Sequence, residues 1–377
     1  MKKKMVHYLP HELIIPILLR LPVKSLLRFK SVSKSWFSLI SDPHFAISHF
    51  DLAAAASSTH HHHNRLVYFP LSTYASQTRS IDFDSSSLYN DAATASPDVS
   101  FLPPLSYPEI KGSCRGFLLL CFSTNLCLWN PSTGAIKLLS LSSIASSDLD
   151  IHFFTFFFGF GYDPSTDDYL VVLADLESCF ELFSLRANAW NKIEATNLPY
   201  INASHVTRTG TLFNGIIHWL AFRRDVSVNV ILAFDFVERS FSEVPLPSDF
   251  NPEFTFCDLC VLGRFLSLYV TGDNATEIWV MQEYKVQSSW TKSIVVATDD
   301  LPWQKFSPIC TTGSGDIVGL DGKTGLVKCN AQGQLLEHRS YCVDRHGCQA
   351  VAYTESLLQL PVDSGQAAND DPPNDEA

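Results

Sequence analysis

The sequence of 377 residues predicts a small unit of three helices followed by a large all-β domain of the β-propeller type, an α+β arrangement by domain. Three observations predict this fold. Apolar residues recur at helical spacing up to about residue 40. From Arg65 onward, short apolar segments alternate with polar turns. Five of these segments resemble one another and follow at nearly regular distances, which is typical of propeller blades.

The first helix is predicted to run from Pro10 to Leu21. Pro10 fits the first helical position, and Glu12 fits the positively charged first turn. Leu21-Pro22 ends the helix, because the residue before a proline is pushed out of the α region. Pro16 lies inside it, where a proline removes one backbone hydrogen bond at a cost of about 3 kcal/mol. The apolar stripe of this helix consists of Leu13, Ile14, Ile17, Leu18 and Leu21.

Two further short helices are predicted before residue 43. Pro22 opens the second, Ser33 is placed to cap the third, and Asp42-Pro43 ends it. A unit of about 40 residues is marginal on its own. Since burial of each large apolar side chain is worth about 1.5 to 3 kcal/mol, its surplus apolar face is expected to bind another protein. The apolar side chains of these two helices are Leu26, Leu27, Phe29, Trp36, Leu39 and Ile40.

The ordered residues of this segment resemble the F-box. The matching residues are Leu9-Pro10, Glu12, Ile17-Leu18, Arg20-Leu21-Pro22, Val23-Lys24-Ser25-Leu26, Arg28-Phe29, Val32, Lys34-Ser35-Trp36, Leu39-Ile40, Asp42-Pro43 and Phe45. Two departures from the family pattern are Ser31 and Ser33 in place of cysteine and Pro16 in place of an acidic residue. The resemblance implies binding to the Skp adaptor, and through it to the cullin, of an SCF (Skp, cullin, F-box) ubiquitin ligase. The adaptor-binding residues that it implies are Leu9, Pro10, Glu12, Ile17, Leu18, Leu21, Pro22, Leu26, Leu27, Val32, Trp36, Leu39 and Ile40.

The β domain is predicted from five segments that each consist of a strand, a polar turn and a second strand. They are Leu126–Lys137, Phe180–Ile193, Val230–Val244, Glu277–Lys292 and Ile317–Val327. Their anchors Trp129, Phe183, Phe234, Trp279 and Leu320 are separated by 54, 51, 45 and 41 residues. One propeller blade takes about 40 to 50 residues, and radial repetition leaves only short, protected sheet edges. The repeat is degenerate and does not define the number of blades. The chain-end strand Gln349–Gln359 is predicted to close the ring against Leu66–Pro70.

The same stretches resemble the plant F-box-associated domain. Its hallmarks are Gly112-Ser-Cys-Arg-Gly116, Trp129-Asn-Pro-Ser-Thr-Gly134, Gly159-Phe-Gly-Tyr-Asp-Pro164 with Asp168-Tyr169, Phe213-Asn-Gly215 with His218-Trp219, and Ile278-Trp-Val-Met281 with Ser289-Trp-Thr291. With the F-box, the resemblance covers nearly the whole chain up to about Pro361. It implies a substrate-recruiting domain related to the kelch-type propellers.

Four segments are predicted from composition and charge. They are a helical unit at 1–50, a low-complexity linker at 51–64, the β domain at 65–361 and an acidic, disordered tail at 362–377. Residues 1–41 hold eight Lys or Arg against Glu12 alone, a charge of +7, so the remainder carries −19 of the total −12. The negative charge of the chain after residue 41 argues against nucleic acid as a partner and favours a basic protein.

The predicted location is the cytoplasm, the nucleus or both, with no membrane partner. No apolar segment typical of a secretory signal follows the start. The longest aromatic run, Phe153–Phe160, is far shorter than the about 20 residues of a membrane helix. Ten cysteines without a signal suit a reducing compartment, where free buried thiols are expected.

No catalytic, cofactor or metal site is predicted. Cys114 has the spacing of a nucleophile elbow, but a strand follows where that motif needs a helix. Cys257 and Cys260 have zinc-ligand spacing, yet Cys342 and Cys348 do not complete the set, so strand cysteines are expected. His218 is interpreted as a hydrogen-bonded core histidine, and the run His60–His63 as part of a flexible linker.

Two functions remain open from the sequence. One is a non-catalytic adaptor subunit that holds a protein substrate close to a ubiquitin-transferring partner. The other is a free-standing propeller that binds or hydrolyses a sugar or another small molecule. For the first, three variable connections are expected to contact the substrate: Ser140–Asp150, Arg223–Asn229 and Asp299–Lys305.

Overall fold

The structure is a computed structural model that describes residues 11–56, 64–70, 78–84, 87–103, 108–122, 125–140, 157–174, 180–193, 199–204, 209–250, 256–341 and 347–360. Within these ranges, four helices precede six β-sheets. Several expectations fall outside them: those on Leu9, Pro10, Cys342, the run His60–His63 and the acidic tail.

The helices are α1 (His11–Leu18), α2 (Val23–Phe29), α3 (Lys34–Ser41) and α4 (Pro43–Ala56). The predicted cap of α3 is confirmed, since the Trp36 backbone N–H donates to Ser33 Oγ at 3.2 Å. α1 ends three residues earlier than predicted. Arg20 and Leu21 donate their N–H groups to the carbonyls three residues back, at 3.1 and 3.0 Å. The chain thus tightens into a turn before Pro22, where an α-helix cannot continue.

α4 was not predicted. Asp42-Pro43 ends α3 as expected, but it also begins α4: Asp42 Oδ1 accepts the N–H groups of His44 and Phe45 at 2.7 and 3.1 Å. Pro43 takes the first helical position, which tolerates its missing N–H. The helix continues into the segment expected to be a linker, because its last four residues are alanines, which have the highest helix propensity. It ends at Ala56.

The six sheets are antiparallel and form the blades of a propeller. The first blade contains β1 (Asn64–Pro70), β2 (Arg79–Ile81) and β3 (Thr94–Ala95). The second contains β4 (Glu109–Cys114), β5 (Phe117–Phe122), β6 (Asn125–Trp129) and β7 (Ile136–Leu139). The third contains β8 (Phe157–Asp163), β9 (Asp168–Ala174), β10 (Phe180–Ser184) and β11 (Ala189–Ile193). The fourth contains β12 (Tyr200–Asn202), β13 (Thr211–Phe213), β14 (Ile216–Arg223), β15 (Val228–Asp235) and β16 (Ser240–Val244). The fifth contains β17 (Phe256–Leu262), β18 (Phe265–Thr271), β19 (Ala275–Met281) and β20 (Trp290–Ala297). The sixth contains β21 (Ser307–Thr311), β22 (Ile317–Leu320), β23 (Gly325–Cys329) and β24 (Leu335–Ser340). The chain end, β25 (Cys348–Thr354), pairs with β1 and completes the first blade.

The core lies between neighbouring blades. In β5 every residue is buried. Leu118 and Leu120 pack against the first blade, whereas Phe117 and Leu119 pack against the third. A strand that is buried on both faces needs a continuous apolar run rather than an alternating one. Each junction between blades has its own apolar cluster of this kind within the described residues.

The predicted closure of the ring is confirmed. β25 pairs antiparallel with β1, with Leu66 opposite Ala352. One part of the repeat prediction was wrong. Four of the five similar segments are the two outermost strands of their blades, but Ile317–Val327 covers the two central strands of the sixth blade. All hairpins of a blade share the same pattern of strand, polar turn and strand, so the pattern alone does not fix the phase.

The innermost strands are β4, β8, β13, β17, β21 and β25, which contact one another around the centre. Strands are counted outward from the innermost one, with β12 and β13, which both pair with β14, as one interrupted strand. Since neighbouring strands are antiparallel, the turns after the first and third strands of a blade lie on one face. We call it the helix face; Arg115-Gly116 and 130–135 are two of its turns. The opposite face, the far face, carries the turns after the second strands and the connections between blades, such as 224–227 and 298–306.

Candidate functional site

The helices present an apolar surface that includes part of the predicted adaptor-binding set. Ile17 and Val32 are 49% and 61% exposed. Glu12 and Pro22 are also exposed. The half-buried members of the set are Leu21, Leu27, Trp36 and Leu39. The rings of Trp36 and Phe29 meet edge to face at 5.4 Å, which fixes α3 against α2.

Three members of the predicted set are not available at this surface. Leu18, Leu26 and Ile40 are at most 1% exposed and pack together with Phe45 and Phe50 of α4. Their side chains therefore hold the helices to one another. The sequence predicted that they contact a partner protein, because α4 was not predicted. In the structure α4 supplies the apolar cover that a three-helix unit would need from a partner.

Two exposed apolar residues of α1 and α3 were missing from the predicted set. Leu13 is 52% exposed and Phe37 is 56% exposed. Lys30 Nζ lies 5.9 Å from the centre of the Phe37 ring. Leu13 belongs to the predicted helical stripe, so periodicity alone was a sufficient signal for it. Phe37 lies beside Trp36 and had no comparable signal.

The charge of these helices is mainly positive. Lys24, Arg28 and Lys34 are exposed on the helices, and Glu12 is the one acidic residue among residues 11–41 of the described chain. A net positive charge on a helical unit with exposed apolar side chains favours a partner of opposite charge.

The helical unit is joined to the helix face through Arg115. Its guanidinium lies 4.8 Å from the Phe50 ring of α4 and 4.2 Å from the Tyr162 ring of the third blade. In addition, Gln359 Nε2 donates to the Ser41 carbonyl at 3.0 Å. The chain end after β25 thus lies between the helices and the propeller.

Asn130 holds this chain end in place. It is fully buried, and its Nδ2 donates to the Ser356 and Leu358 carbonyls at 3.2 and 3.4 Å. Its Oδ1 accepts the backbone N–H groups of Ser132 and Thr133 at 2.9 and 3.3 Å. One side chain therefore shapes the turn after β6 and ties residues 356–358 to it, a role for the Trp129–Gly134 hallmark that the sequence did not reveal.

The cysteines considered for chemistry are core residues. Cys114 is buried at the end of β4, the strand β5 follows it as expected, and burial raises the pKa of its thiol to about 12. Cys257 and Cys260 both lie on β17 and point into different blade junctions, so they do not converge on one ligand. Among the described residues, no three His, Cys, Asp or Glu side chains are grouped to hold a metal ion.

His218 is the hydrogen-bonded core histidine that the sequence indicated. It is fully buried on β14. Its Nδ1 donates to the Thr211 carbonyl at 3.3 Å, and its Nε2 accepts from the Tyr284 hydroxyl at 2.7 Å. Burial lowers the pKa of His218 to about 4, and Lys285 acts in the same direction.

This shift predicts a loss of stability in acid. An unfolded histidine takes up a proton near pH 6.5, whereas folded His218 resists it down to about pH 4. The unfolded state therefore binds more protons in this window, and the free energy of unfolding should fall by about 3 kcal/mol as the pH drops from 6.5 to 4. The comparison of urea unfolding at several pH values for the wild type and His218→Gln measures it. His218→Gln should lose this part of the pH dependence. His44→Gln, which removes an exposed histidine of α4, should keep it.

Two of the connections expected to contact a substrate belong to the far face. Arg223–Asn229 contains the β14–β15 turn and Asp299–Lys305 the β20–β21 connection. Of the third, only Ser140 lies in the described chain. Beside the β15 end of the first connection is an open groove of about 570 Å³ whose lining includes Val228, Glu243 and Phe250.

No helix within the described ranges has the length and apolar character that crossing a membrane requires.

Comparison with known proteins identifies both parts of the chain. A family model of the F-box domain matches residues 7–48, and a model of the F-box associated beta propeller domain matches residues 75–356. The F-box/kelch-repeat protein At3g23880 of Arabidopsis thaliana is 32% identical over 339 residues, which are 86% of this chain and 88% of that protein. F-box protein CPR1 of the same plant is 31% identical over 316 residues, 76% of this chain and 73% of that protein. The chain therefore belongs to the family of F-box proteins with an F-box associated β-propeller domain.

Proposed function

We propose that this protein is the substrate-recognition subunit of an SCF-type ubiquitin ligase. In this proposal residues 1–50 bind the Skp adaptor, which connects them to the cullin, and residues 65–361 hold a protein substrate for ubiquitination and degradation. Such a complex would act in the cytoplasm, the nucleus or both. The observation that carries the proposal is the exposed apolar surface of the helices, at Leu13, Ile17, Val32 and Phe37, on a unit attached to the helix face of a propeller.

The proposed contribution to catalysis is proximity. A receptor that binds the adaptor at one end and the substrate at the other raises the effective concentration of a substrate lysine at the ubiquitin-carrying enzyme. This role needs no nucleophile or base in the receptor. It does need a fixed geometry between the two ends, and the contacts of Arg115 and Gln359 with the helical unit supply one.

The charge of the helices supports an adaptor with acidic groups around its apolar contact. Lys24, Arg28 and Lys34 are exposed on the same helical unit and would pair with these acidic groups. Such rim charges speed up association and select the partner, whereas the buried apolar contacts hold it.

The far face is the proposed substrate side, because its connections are not covered by the helices. The charge of −19 outside residues 1–41 acts at long range and favours the encounter with a basic protein. This expectation rests on net charge alone and stays a prediction.

Two exposed apolar residues of the helices test the proposal. The double variant Ile17→Asp/Val32→Asp should weaken co-purification of the full-length protein with a Skp adaptor at least about tenfold, since interface energy concentrates in a few apolar anchors. Its thermal unfolding should change little, because both side chains already face solvent.

Leu335→Asp/Leu336→Asp is the matched control. These leucines of β24 are 43% and 49% exposed, so the control adds the same two charges far from the helices. Adaptor binding should persist in it. Undiminished binding by the Ile17/Val32 variant, or equal loss in both variants, would contradict the proposed function.

A further inference from the structure

Three segments that are distant in sequence converge on the far face. Phe256 begins β17, Trp303 and Lys305 lie in the β20–β21 connection, and Lys323 lies in the β22–β23 turn. Gly322 brings the turn and the connection together: a Cβ atom there would lie 3.0 Å from Lys305 Cβ and 3.6 Å from Trp303 Cβ. We call Phe256, Trp303, Lys305 and Lys323 the lysine–aromatic patch.

The patch combines exposed rings with ammonium groups. Phe256 is 48% exposed and Trp303 is 39% exposed. Lys305 Nζ lies 4.0 Å from the centre of the Phe256 ring, and Lys323 Nζ lies 4.5 Å from that of Trp303. At these distances each ammonium group is attracted to the ring face, which orients the long lysine side chain. Both rings expose apolar area to water, and burial of this area against a ligand would be favourable.

The backbone that carries the patch is ordered by its own hydrogen bonds. In the β20–β21 connection, Leu301 and Gln304 donate their N–H groups to the carbonyls of Thr298 and Leu301, both at 3.0 Å. Buried Leu301 and Phe306 anchor the two sides of Trp303 in the core between the fifth and sixth blades. A surface held this firmly loses little conformational freedom when it binds.

The turn that carries Lys323 is equally constrained. Asp321 Oδ1 accepts the N–H groups of Lys323 and Thr324 at 2.9 and 2.7 Å. Its Oδ2 accepts the Thr324 hydroxyl at 2.7 Å and lies 2.9 Å from His338 Nε2. The carboxylate closest in sequence to Lys323 is thus occupied within its own turn.

The positive charge of the patch is not neutralised. Neither Lys305 nor Lys323 forms an ion pair with a carboxylate in the part of the chain that the structure describes. Asp299 and Asp300 are exposed in the same connection, but they precede the buried Leu301 and pair with neither lysine. Two free ammonium groups beside two exposed rings therefore face solvent on a domain that is otherwise acidic.

We propose that the lysine–aromatic patch binds an acidic peptide segment of the substrate protein, in which carboxylates flank an aromatic or large apolar side chain. The apolar side chain would pack against Phe256 and Trp303, and the carboxylates would pair with Lys305 and Lys323. The inference rests on the proposed function, because it names the substrate contact of the far face. It is compatible with a substrate of basic net charge, since contact chemistry is decided within a Debye length of about 8 Å.

Single-stranded nucleic acid also combines negative charge with planar groups, and the charge of the chain decides against it. Nucleic-acid sites neutralise several phosphates with a positively charged groove. Here the patch offers two lysines, whereas the chain after residue 41 carries a net charge of −19. This negative charge repels a polyphosphate.

Selection from a library of random ten-residue peptides by the full-length protein tests the proposal. The wild type should enrich peptides with Asp or Glu beside an aromatic or large apolar residue. The variant Lys305→Glu/Lys323→Glu should bind the enriched peptides at least about tenfold more weakly, because two charge-assisted contacts turn repulsive. Trp303→Ala should weaken them as well while keeping the preference for acidic residues.

The charge-matched control is Lys285→Glu/Lys292→Glu, in which each lysine also lies over an aromatic ring, Tyr284 or Trp279, but outside the patch. It should select the same peptides as the wild type. The proposal is overturned by an absence of acidic enrichment, by equal losses in both double variants, or by tighter binding of a ten-nucleotide oligo(dT) than of the selected peptides. Skp co-purification of the wild type keeps the two questions apart. A wild type that binds no Skp adaptor would refute the proposed function, whereas a wild type that binds the adaptor but enriches no acidic peptides would refute the patch alone.

Discussion

Replacing Gly116 with alanine should lower the free energy of unfolding by about 4 kcal/mol. Gly116 has a φ of +84°, a conformation that costs other residues about 1 to 2 kcal/mol. A Cβ atom at this position would lie 2.2 Å from Ser356 Oγ and 2.8 Å from the Thr354 carbonyl oxygen. Because a backbone carbonyl cannot rotate away, overpacking adds about 1 to 3 kcal/mol. The clash falls where β25 closes the ring and leads into the chain end beneath the helices.

Gly134→Ala is the matched control. Gly134 has a φ of +78°, yet nothing lies within 4 Å of the Cβ position. It should lose only the conformational part, about 1 to 2 kcal/mol. Urea unfolding of both full-length variants measures the difference, and hydrogen exchange of residues 351–358 shows where it arises. Equal destabilisation of the two variants would mean that the contact with the chain end does not matter.

Asn130→Ala should have an effect of similar size, about 4 kcal/mol. The substitution leaves the buried carbonyls of Ser356 and Leu358 without this donor, at about 1 to 3 kcal/mol each when no water replaces it. It also removes the two hydrogen bonds to Ser132 and Thr133 that shape the turn. The chain end should loosen from the second blade, and with it the contact of Gln359 with Ser41.

The equivalent turn of the sixth blade supplies the control. Asn330 Oδ1 accepts the N–H groups of Gln332 and Gln334 at 3.0 and 2.9 Å, but within the described residues its Nδ2 donates to one exposed side chain, that of Gln334. Asn330→Ala should therefore cost about 1 kcal/mol in urea unfolding. Hydrogen exchange at α4 should rise in Asn130→Ala and stay unchanged in Asn330→Ala. Similar costs for both variants would show that the chain end does not depend on Asn130.

Local signals in the sequence were sufficient for most elements. Leu21-Pro22 marked the turn between α1 and α2, and Ser33 marked the cap of α3, because caps and proline effects act within three or four residues. Asn214 and Gly215 have φ values of +51° and +76° and form the two-residue turn between β13 and β14. A turn with two positive φ values favours this dipeptide. Signals of this range identified α1, α2, α3 and the repeated hairpins, but they did not show which strands of a blade each hairpin forms.

The candidate site was only partly predictable. Ile17 and Val32 are exposed as an adaptor-binding role requires, but Leu18, Leu26 and Ile40 are buried. Their periodicity is that of a core stripe as much as of a docking surface. The difference was decided by α4, whose low-complexity alanine run was interpreted as a linker.

The sequence by itself determined the helical class of the first segment, the β class of the chain from residue 65, the ring closure between β25 and β1, and the membership in an F-box and propeller family. The tertiary structure alone decided the number of blades, the burial of one part of the helical stripe, the attachment of the helices through Arg115 and Gln359, and the assembly of the lysine–aromatic patch from three separate segments. The physical reason is the distance along the chain over which each kind of interaction acts. Turn chemistry, caps and periodicity are set by neighbours along the chain, whereas the partner that covers a side chain is set by residues up to about 300 positions away, as for Gln359 and Ser41.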